Sequence, residues 1–287
     1  MKSRENQIGV IAGATGFLGS LLAKHYASSG TDVILIGKDE NKLKNLKREV
    51  EMNTKSKVTI LNLDFKSNYI SELSAKIELS AEHIDFFIST IGTQHPITPI
   101  LLSKDNDWSE SIRTNLILPV NLAKFFTDIF LKNGHGSVIL TSGGGATNAR
   151  TNFSAYASAK AGLVRFVETF AAEIAEFNVR INAIAPGIMP SKMMEEIVEN
   201  STLAAGKDEV VKAHHALGDS LWNPAHILSL CDFLISEKSK GITGKLISAE
   251  WDNWSEWPQH IDELRASDLY TLRRITGRDR GQTWGDI

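Results

Sequence analysis

A single cysteine, Cys231, occurs among the 287 residues, so no disulfide can form within the chain. This scarcity of cysteine fits a reducing compartment, and we expect a cytoplasmic protein. No stretch approaches the roughly 20 consecutive apolar residues that a membrane span needs. The net charge is −3 with acidic and basic residues interspersed, so no charge pattern points to nucleic acid or an anionic membrane. The His214-His215 pair has no partner at metal-ligand spacing, and we expect no metal site.

Short apolar runs alternate with longer helical patterns, and apolar residues form 42% of the chain, enough for one large core. The runs are continuously apolar, which is typical of strands covered on both faces. This alternation predicts an α/β fold with a doubly wound parallel sheet of about seven strands and helices on both faces. The predicted strands are Ile8–Ala12, Val33–Ile36, Val58–Leu61, Ile84–Ile88, Val138–Thr141, Val179–Ile184 and Lys245–Ser248. The predicted helices lie at about 17–29, 39–51, 69–80, 106–132, 154–177 and 224–235.

The first predicted strand leads directly into the segment Gly13-Ala14-Thr15-Gly16-Phe17-Leu18-Gly19 and then into a helical pattern. Glycine is needed where the backbone turns tightly and approaches a pyrophosphate closely, and a helix start offers free N–H groups and the positive end of its dipole. The segment therefore predicts a dinucleotide-binding turn.

Tyr156 and Lys160 lie four residues apart in a predicted helix, so both side chains are expected on one face. A nearby ammonium favours the phenolate and lowers the tyrosine pKa from about 10. The pair therefore predicts a general acid and base.

Taken together, these features resemble the short-chain dehydrogenase/reductase family. The resemblance covers residues 7 to about 247 and rests on the glycine turn, Asp64, Trp108…Asn115, Ser142, Tyr156…Lys160 and the segment from Arg180 to Gly187. It implies one Rossmann-like domain that binds NAD(H) or NADP(H) and interconverts alcohols and carbonyl compounds.

The resemblance also implies roles for individual residues. Tyr156 would exchange a proton with the substrate oxygen, and Ser142 would orient that oxygen. Lys160 would lower the pKa of Tyr156 and hold the nicotinamide ribose. Asn115 would anchor a water relay. Asp64 would meet the adenine and Ser191 the nicotinamide carboxamide. The candidate cofactor-binding residues are Gly13, Thr15, Gly16, Phe17, Leu18, Gly19, Lys38, Leu63, Asp64, Ser89, Tyr156, Lys160, Pro186, Gly187, Ile188 and Ser191.

Four departures from the family pattern are visible. Phe17 stands where the single-domain branch has a middle glycine, and the glycine spacing looks more like the extended branch that acts on nucleotide sugars. Ser89-Thr90-Ile91-Gly92 replaces an Asn-Asn-Ala-Gly stretch. Ser142 precedes Tyr156 by fourteen residues instead of thirteen, with Gly143 at the usual place; we expect the glycine loop to absorb the extra residue. An Asp-Gly-Gly ending is missing, and the chain continues to residue 287.

The second strand ends at Gly37 and Lys38, without the acid that would bind a ribose 2′-hydroxyl. A lysine suits a 2′-phosphate, so NADP is the expected cofactor and NAD the alternative.

Gln94, His95 and Arg150 follow strand ends, where they could touch substrate or be ordinary solvated loop residues.

We expect one domain over residues 1–248, including a substrate loop at 188–222, followed by an extension over 249–287. The extension is rich in tryptophan and arginine, which suit either a wall for a glycosyl or nucleotide-like substrate or a contact in a homodimer or homotetramer. The predicted function is an oxidoreductase for a secondary alcohol and a ketone. The alternatives are a nucleotide-sugar dehydratase, epimerase or ketoreductase that retains its cofactor, and a non-catalytic regulator that senses a dinucleotide.

Overall fold

A twisted sheet of seven parallel strands forms the centre of the computed structural model, which describes residues 6–66, 69–81, 83–200, 204–219 and 222–284. The strand order is β3-β2-β1-β4-β5-β6-β7. The chain reverses its direction of winding between β1 and β4, so a crevice opens there at the carboxyl ends of the strands. The predicted fold class is confirmed. The strands are β1 (Ile8–Ala12), β2 (Asp32–Gly37), β3 (Val58–Asn62), β4 (Phe86–Ser89), β5 (Gly136–Thr141), β6 (Val179–Ala185) and β7 (Leu246–Ser248).

Both faces of the sheet are covered, as the continuously apolar strands predict. Within β1, Val10 and Ala12 belong to the core layer on one face, whereas Ile11 belongs to the layer on the other. The parallel register aligns Val10 with Ile34 of β2 and with Phe87 of β4, so side chains of neighbouring strands enter the same layer. Burial on both sides therefore explains why these strands lack an alternation of polar and apolar residues.

The helices lie close to their predicted positions, with two more inside the expected substrate loop. Helices α1, α2 and α9 contribute to one core layer, and α3, α5 and α6 to the other. Residues 201–203, 220 and 221 of that loop lie outside the described residues. The helices are α1 (Phe17–Ser28), α2 (Glu40–Asn53), α3 (Tyr69–Glu78), α4 (Asp105–Ile112), α5 (Leu118–Asn133), α6 (Ser154–Glu173), α7 (Lys192–Glu199), α8 (Lys207–Gly218), α9 (Ala225–Ile235) and α10 (Ile261–Ala266). Among these helices, none is long and apolar enough to cross a membrane.

The single helix predicted at 106–132 is interrupted. A π-helical turn at Arg113–Ile117 separates α4 from α5, and Asn115 lies at its centre. Such a turn inserts one extra residue into the helix and redirects the side chains around it. The helical periodicity on either side hides this interruption in the sequence.

The segment after β7 packs on the domain that precedes it. Trp257 and Leu264 are 4% and 3% exposed and belong to the same core layer as α1 and α9. The Leu246 N–H donates to the Tyr270 carbonyl at 2.9 Å, and Lys245 Nζ donates to the Leu264 carbonyl at 2.7 Å. This part of the chain, as far as it is described, therefore completes the core beside the edge strand.

Candidate active site

The glycine turn brings the start of α1 against the end of β1. Gly13 has φ +78°, a left-handed conformation that favours glycine, and its N–H donates to the Ile36 carbonyl at 3.0 Å. A Cβ on Gly19 would lie 2.3 Å from the Gly13 carbonyl oxygen and 2.8 Å from the Ala14 Cα, so only glycine permits this approach. The turn therefore has the close helix-to-strand packing that a pyrophosphate-binding loop requires.

The other predicted residues of this turn divide into two groups. Thr15 and Gly16 precede α1, and Phe17 is its first residue; all three are at least partly exposed. Leu18, the second residue of α1, is buried. The Phe17 ring lies 5.2 Å from the Trp222 ring, measured between centroids. Trp222 is a contact that the sequence did not reveal, because it follows Phe17 by more than 200 residues and no motif includes it.

The predicted adenosine end is built by the carboxyl ends of β2 and β3. Lys38 is exposed just after β2, and Asp39 beside it caps α2 by accepting from the Lys42 N–H at 3.0 Å. Leu63 is buried and its N–H donates to the Gly37 carbonyl at 3.0 Å.

Asp64 is exposed just after Leu63 and accepts a hydrogen bond from the Lys66 N–H at 3.2 Å. Lys38, Leu63 and Asp64 thus lie together at the carboxyl ends of β2 and β3.

Asn115 lies at the centre of the π-helical turn and binds the segment that follows β4. Its Nδ2 donates to the Thr93 carbonyl at 2.8 Å and to the Ser111 carbonyl at 3.0 Å, and its Oδ1 accepts from the Thr93 N–H at 3.0 Å. The residue is fully buried. Asn115 therefore fixes the backbone at the crevice with both ends of its amide.

Lys160 comes from α6 and reaches the same point. Its Nζ donates to the Thr141 carbonyl at 2.7 Å, and burial lowers its pKa to about 7. A Cβ on Gly92 would lie 3.2 Å from Asn115 Oδ1 and 3.5 Å from Lys160 Nζ. Asn115 and Lys160 therefore converge on Gly92, where any side chain would crowd them.

Tyr156 lies one helical turn before Lys160, whose Nζ is 5.7 Å from the centre of the phenol ring. Burial raises the pKa of Tyr156, and the positive charge of Arg150 opposes this rise in part. The expectation that Lys160 lowers the Tyr156 pKa below its ordinary value is wrong for this structure. The reason is that the ring lies under α7 and α8, and transfer of a phenolate from water into this environment is unfavourable.

Ser142 makes no hydrogen bond to Tyr156. Its hydroxyl is buried and, among the described residues, has no hydrogen-bond partner; the same holds for the Ser89 hydroxyl at the end of β4. The Tyr156 hydroxyl instead lies 2.2 Å from the position that a Cβ on Gly143 would take. Gly143 therefore lies directly beside the phenol, and the catalytic role of Ser142 stays a prediction.

The segment after β6 forms another wall of the crevice. Pro186 is buried, Ile188 is exposed and Ser191 precedes α7. Gly187 has φ +84°, and a Cβ there would lie 2.2 Å from a carboxylate oxygen of Glu250.

Glu250 also borders a cleft next to this segment. The cleft has a volume of about 810 Å³, and its lining includes Ile188, Lys212, His214, Trp222 and Glu250. Glu250 belongs to no motif visible in the sequence; it lies just after β7, where the family's glycine ending is absent.

Helices α7 and α8 pack over Tyr156. The ring belongs to a small apolar cluster with Phe153 of the preceding loop, Ile197 of α7 and Ala213 of α8. Arg150 and Gln94, which the sequence left as either substrate contacts or solvated loop residues, both lie at this cluster, and Gln94 is 4% exposed.

Comparison with known proteins gives matches over most of the chain. The model of the short chain dehydrogenase family matches residues 7–202. The 3-oxoacyl-[acyl-carrier-protein] reductase FabG of Thermotoga maritima is 26% identical over 247 residues, which is 86% of this chain and 97% of that protein. The 2,3-dihydro-2,3-dihydroxybenzoate dehydrogenase of Bacillus subtilis is 25% identical over 248 residues, which is 84% and 94% of the two chains.

Solved structures share the fold. A short-chain type dehydrogenase/reductase from Mycobacterium ulcerans has a TM-score of 0.74 at 19% identity and covers 86% of this chain and 89% of its own. A protein from Shigella flexneri, solved in complex with NADP, has a TM-score of 0.73 at 23% identity and covers 86% and 98%.

Proposed function

Because the chain belongs to the short-chain dehydrogenase/reductase family, we propose that it is an NADP(H)-dependent oxidoreductase that interconverts a secondary alcohol and a ketone. The observation that carries this proposal is the convergence of Tyr156, Lys160 and Asn115 at the crevice beside the glycine turn. Relatives named as a reductase and as a dehydrogenase support redox chemistry at a carbonyl or hydroxyl group.

The glycine turn fits a dinucleotide. The absence of side chains at Gly13 and Gly19 lets the turn pack closely against Thr90 and the start of α1 against the turn. The first N–H groups of a helix have no partners within it, so the start of α1 can bind a pyrophosphate. The Lys160 ammonium is a donor that can bind ribose hydroxyls. When bound, a nicotinamide dinucleotide supplies the redox chemistry.

The charges near Lys38 support NADP over NAD. Asp39 is engaged as the cap of α2, and Glu40 pairs with Lys44 at 2.6 Å, so the neighbouring acids already have partners. The pKa of Glu110 on α4 is lowered, first by its hydrogen bond to Arg113 and also by the charges of Lys66 and Lys38. Several cations therefore surround this edge, where a 2′-phosphate would lie.

The catalytic roles follow from the positions of the side chains. Tyr156 holds a proton that it can donate to a substrate oxygen, because burial keeps the phenol neutral. Lys160 lies beneath the ring as a neighbouring proton carrier with a pKa of about 7. Asn115 holds the Thr93 backbone in place, so that the floor of the site stays fixed.

Replacement of Tyr156 by phenylalanine tests the proposal. We expect Tyr156→Phe to lower turnover by about 100-fold or more, because the transferable proton is lost, while NADPH affinity stays near wild type. Turnover would be measured in a cofactor-oxidation screen over sterol, acyl, small ketone and nucleotide-sugar substrates, with mass detection of retained cofactor. Tyr270→Phe, in the segment after β7, is the matched control. Full activity of Tyr156→Phe would contradict the mechanism.

A dinucleotide-sensing regulator is the second candidate. It is favoured by the Ser142 hydroxyl, which makes no hydrogen bond to Tyr156. Sensing needs the glycine turn but not the proton donor. Tight NADPH binding without turnover on any substrate class would support this alternative.

A homodimer or homotetramer remains a prediction, which light scattering would test.

A further inference from the structure

Arg150 lies in the loop between β5 and α6 and binds a helix far along the chain. Its Nη2 and Nε donate to one carboxylate oxygen of Glu209 on α8, at 2.6 Å and 3.0 Å. Nη2 also donates to Gln94 Oε1 at 3.4 Å. The side chains of Arg150 and Glu209 are only 13% and 20% exposed. One guanidinium thus connects the loops after β4 and β5 to α8.

The same guanidinium stacks on aromatic rings of the active site. Its central carbon lies 3.8 Å from the centre of the Phe153 ring and 5.6 Å from the centre of the Tyr156 ring. A cation at these distances interacts favourably with a ring face, and more strongly when it is shielded from water. Arg150 is therefore held from one side by Glu209 and from the other by the rings.

We propose that Arg150 and Glu209 act as a positioning pair, which fastens α8 over the active site and sets the electrostatic surroundings of Tyr156. The inference rests on the proposed function, in which Tyr156 carries the proton. Neither residue belongs to the motifs that define the site. A surface ion pair would contribute little, whereas this pair is shielded and joins a loop to a helix far along the chain.

Among the described residues, the charged groups around Tyr156 come from three elements and the preceding loops. Lys160 comes from its own helix, Arg150 from the preceding loop and Glu209 from α8. From α7, Glu196 is half-buried and pairs with His95 at 3.5 Å. The remaining ionisable residues of α7 and α8 are exposed, namely Lys192, Glu195, Glu199, Lys207, Asp208, Lys212, His214 and His215.

We expect the two members of the pair to change the pKa of Tyr156 in opposite directions, because their charges are opposite. Burial raises the pKa of Tyr156 and the Arg150 charge lowers it. Burial acts to raise the pKa of Glu209, but the hydrogen bond and charge of Arg150, with a contribution from Lys212, outweigh this and lower it. Glu209 is therefore ionised at neutral pH, and its negative charge offsets part of the effect of Arg150.

Direct titration of the phenol tests this balance. The ultraviolet tyrosinate signal would be measured against pH, with the same variant carrying Tyr156→Phe subtracted to isolate one tyrosine. Arg150→Gln and Arg150→Lys both lose the forked hydrogen bonds, but only the first loses the charge. We expect Tyr156 to titrate at higher pH in Arg150→Gln than in Arg150→Lys. In Glu209→Gln it should titrate at lower pH than in wild type.

Hydrogen exchange of residues 207–218 tests the fastening of α8. Loss of a shielded, charged hydrogen bond in Arg150→Gln or Glu209→Gln should speed exchange there by about tenfold or more. Exchange in the strands should stay unchanged, and circular dichroism would verify that each variant is folded. Asp208→Asn, an exposed acid next to Glu209, is the matched control.

The pair has no positioning role if α8 exchanges at the wild-type rate in both variants. The electrostatic part is wrong if Arg150→Gln and Arg150→Lys titrate alike. Neither readout needs turnover, so both would stand even if Tyr156→Phe proved fully active and the proposed function failed.

Discussion

Replacement of Gly143 by alanine is the sharpest test of the site, because it adds one methyl group at the tip of Tyr156. The new Cβ would lie 2.2 Å from the phenol oxygen, whereas ordinary contacts begin at 3.4 Å. The ring must therefore move by about 1 Å, and a displacement of that size can cost about 100-fold in rate. Because Tyr156 is only 6% exposed, the surrounding helices limit how easily it can move.

Gly144 is the matched control for this substitution. It follows Gly143 in the same loop, but a Cβ there would have no atom within 4 Å. We expect Gly143→Ala to lose about 100-fold in kcat/KM and Gly144→Ala to stay near wild type. NADPH affinity and the thermal midpoint should be similar in both, since the perturbation concerns the phenol and not the glycine turn at residues 13–19.

Gly143→Ser extends the test to the role of the family's serine. If Ser142 is the catalytic serine, Gly143→Ser only adds a clash with Tyr156, and activity should fall as in Gly143→Ala. Recovery above Gly143→Ala would indicate that position 143 is the functional one. Unchanged activity in Gly143→Ala would refute the reasoning, because the phenol could then not lie where the structure has it.

Two further predictions concern the cofactor and the core. Lys38→Ala should weaken NADPH binding by about tenfold or more and NADH binding little, because one charged contact to a phosphate is lost. Both affinities would be measured by fluorescence titration, with Lys47→Ala as the control. Equal losses for the two cofactors would contradict this prediction. Trp257→Ala should lower the free energy of unfolding by about 3–5 kcal/mol, because a buried ring is removed. Trp251 is 85% exposed, so Trp251→Ala should change the free energy of unfolding by less than about 0.5 kcal/mol. Both variants would be measured by urea titration, and equal effects would mean that Trp257 does not pack in the core.

The sheet and the glycine turn could be predicted because their causes are local. A strand buried on both faces must be apolar throughout, so the segment Ile8–Ala12 could be recognised from its own residues. The turn after it needs glycine at position 13 for its left-handed φ and at position 19 because a Cβ would meet the Gly13 carbonyl and Ala14. Such features remain visible in any sequence that folds this way.

The remaining features depend on contacts between distant parts of the chain. The π-helical turn at Arg113–Ile117 leaves the helical pattern of its neighbours intact, so periodicity cannot reveal it. The ion pair of Arg150 and Glu209 joins residues 59 apart. The surroundings of the Ser142 hydroxyl could not be predicted, because an extra residue in a loop of three glycines can be absorbed in several ways, and only packing decides among them.

The position of Tyr156 also bears on the direction of the reaction. A phenol whose pKa is raised by burial stays protonated at neutral pH, and donation of that proton suits reduction of a carbonyl group. Oxidation of an alcohol needs the phenolate, which the same burial disfavours. The titration of Tyr156 described above decides this point, since a phenol that ionised below neutral pH would suit oxidation instead.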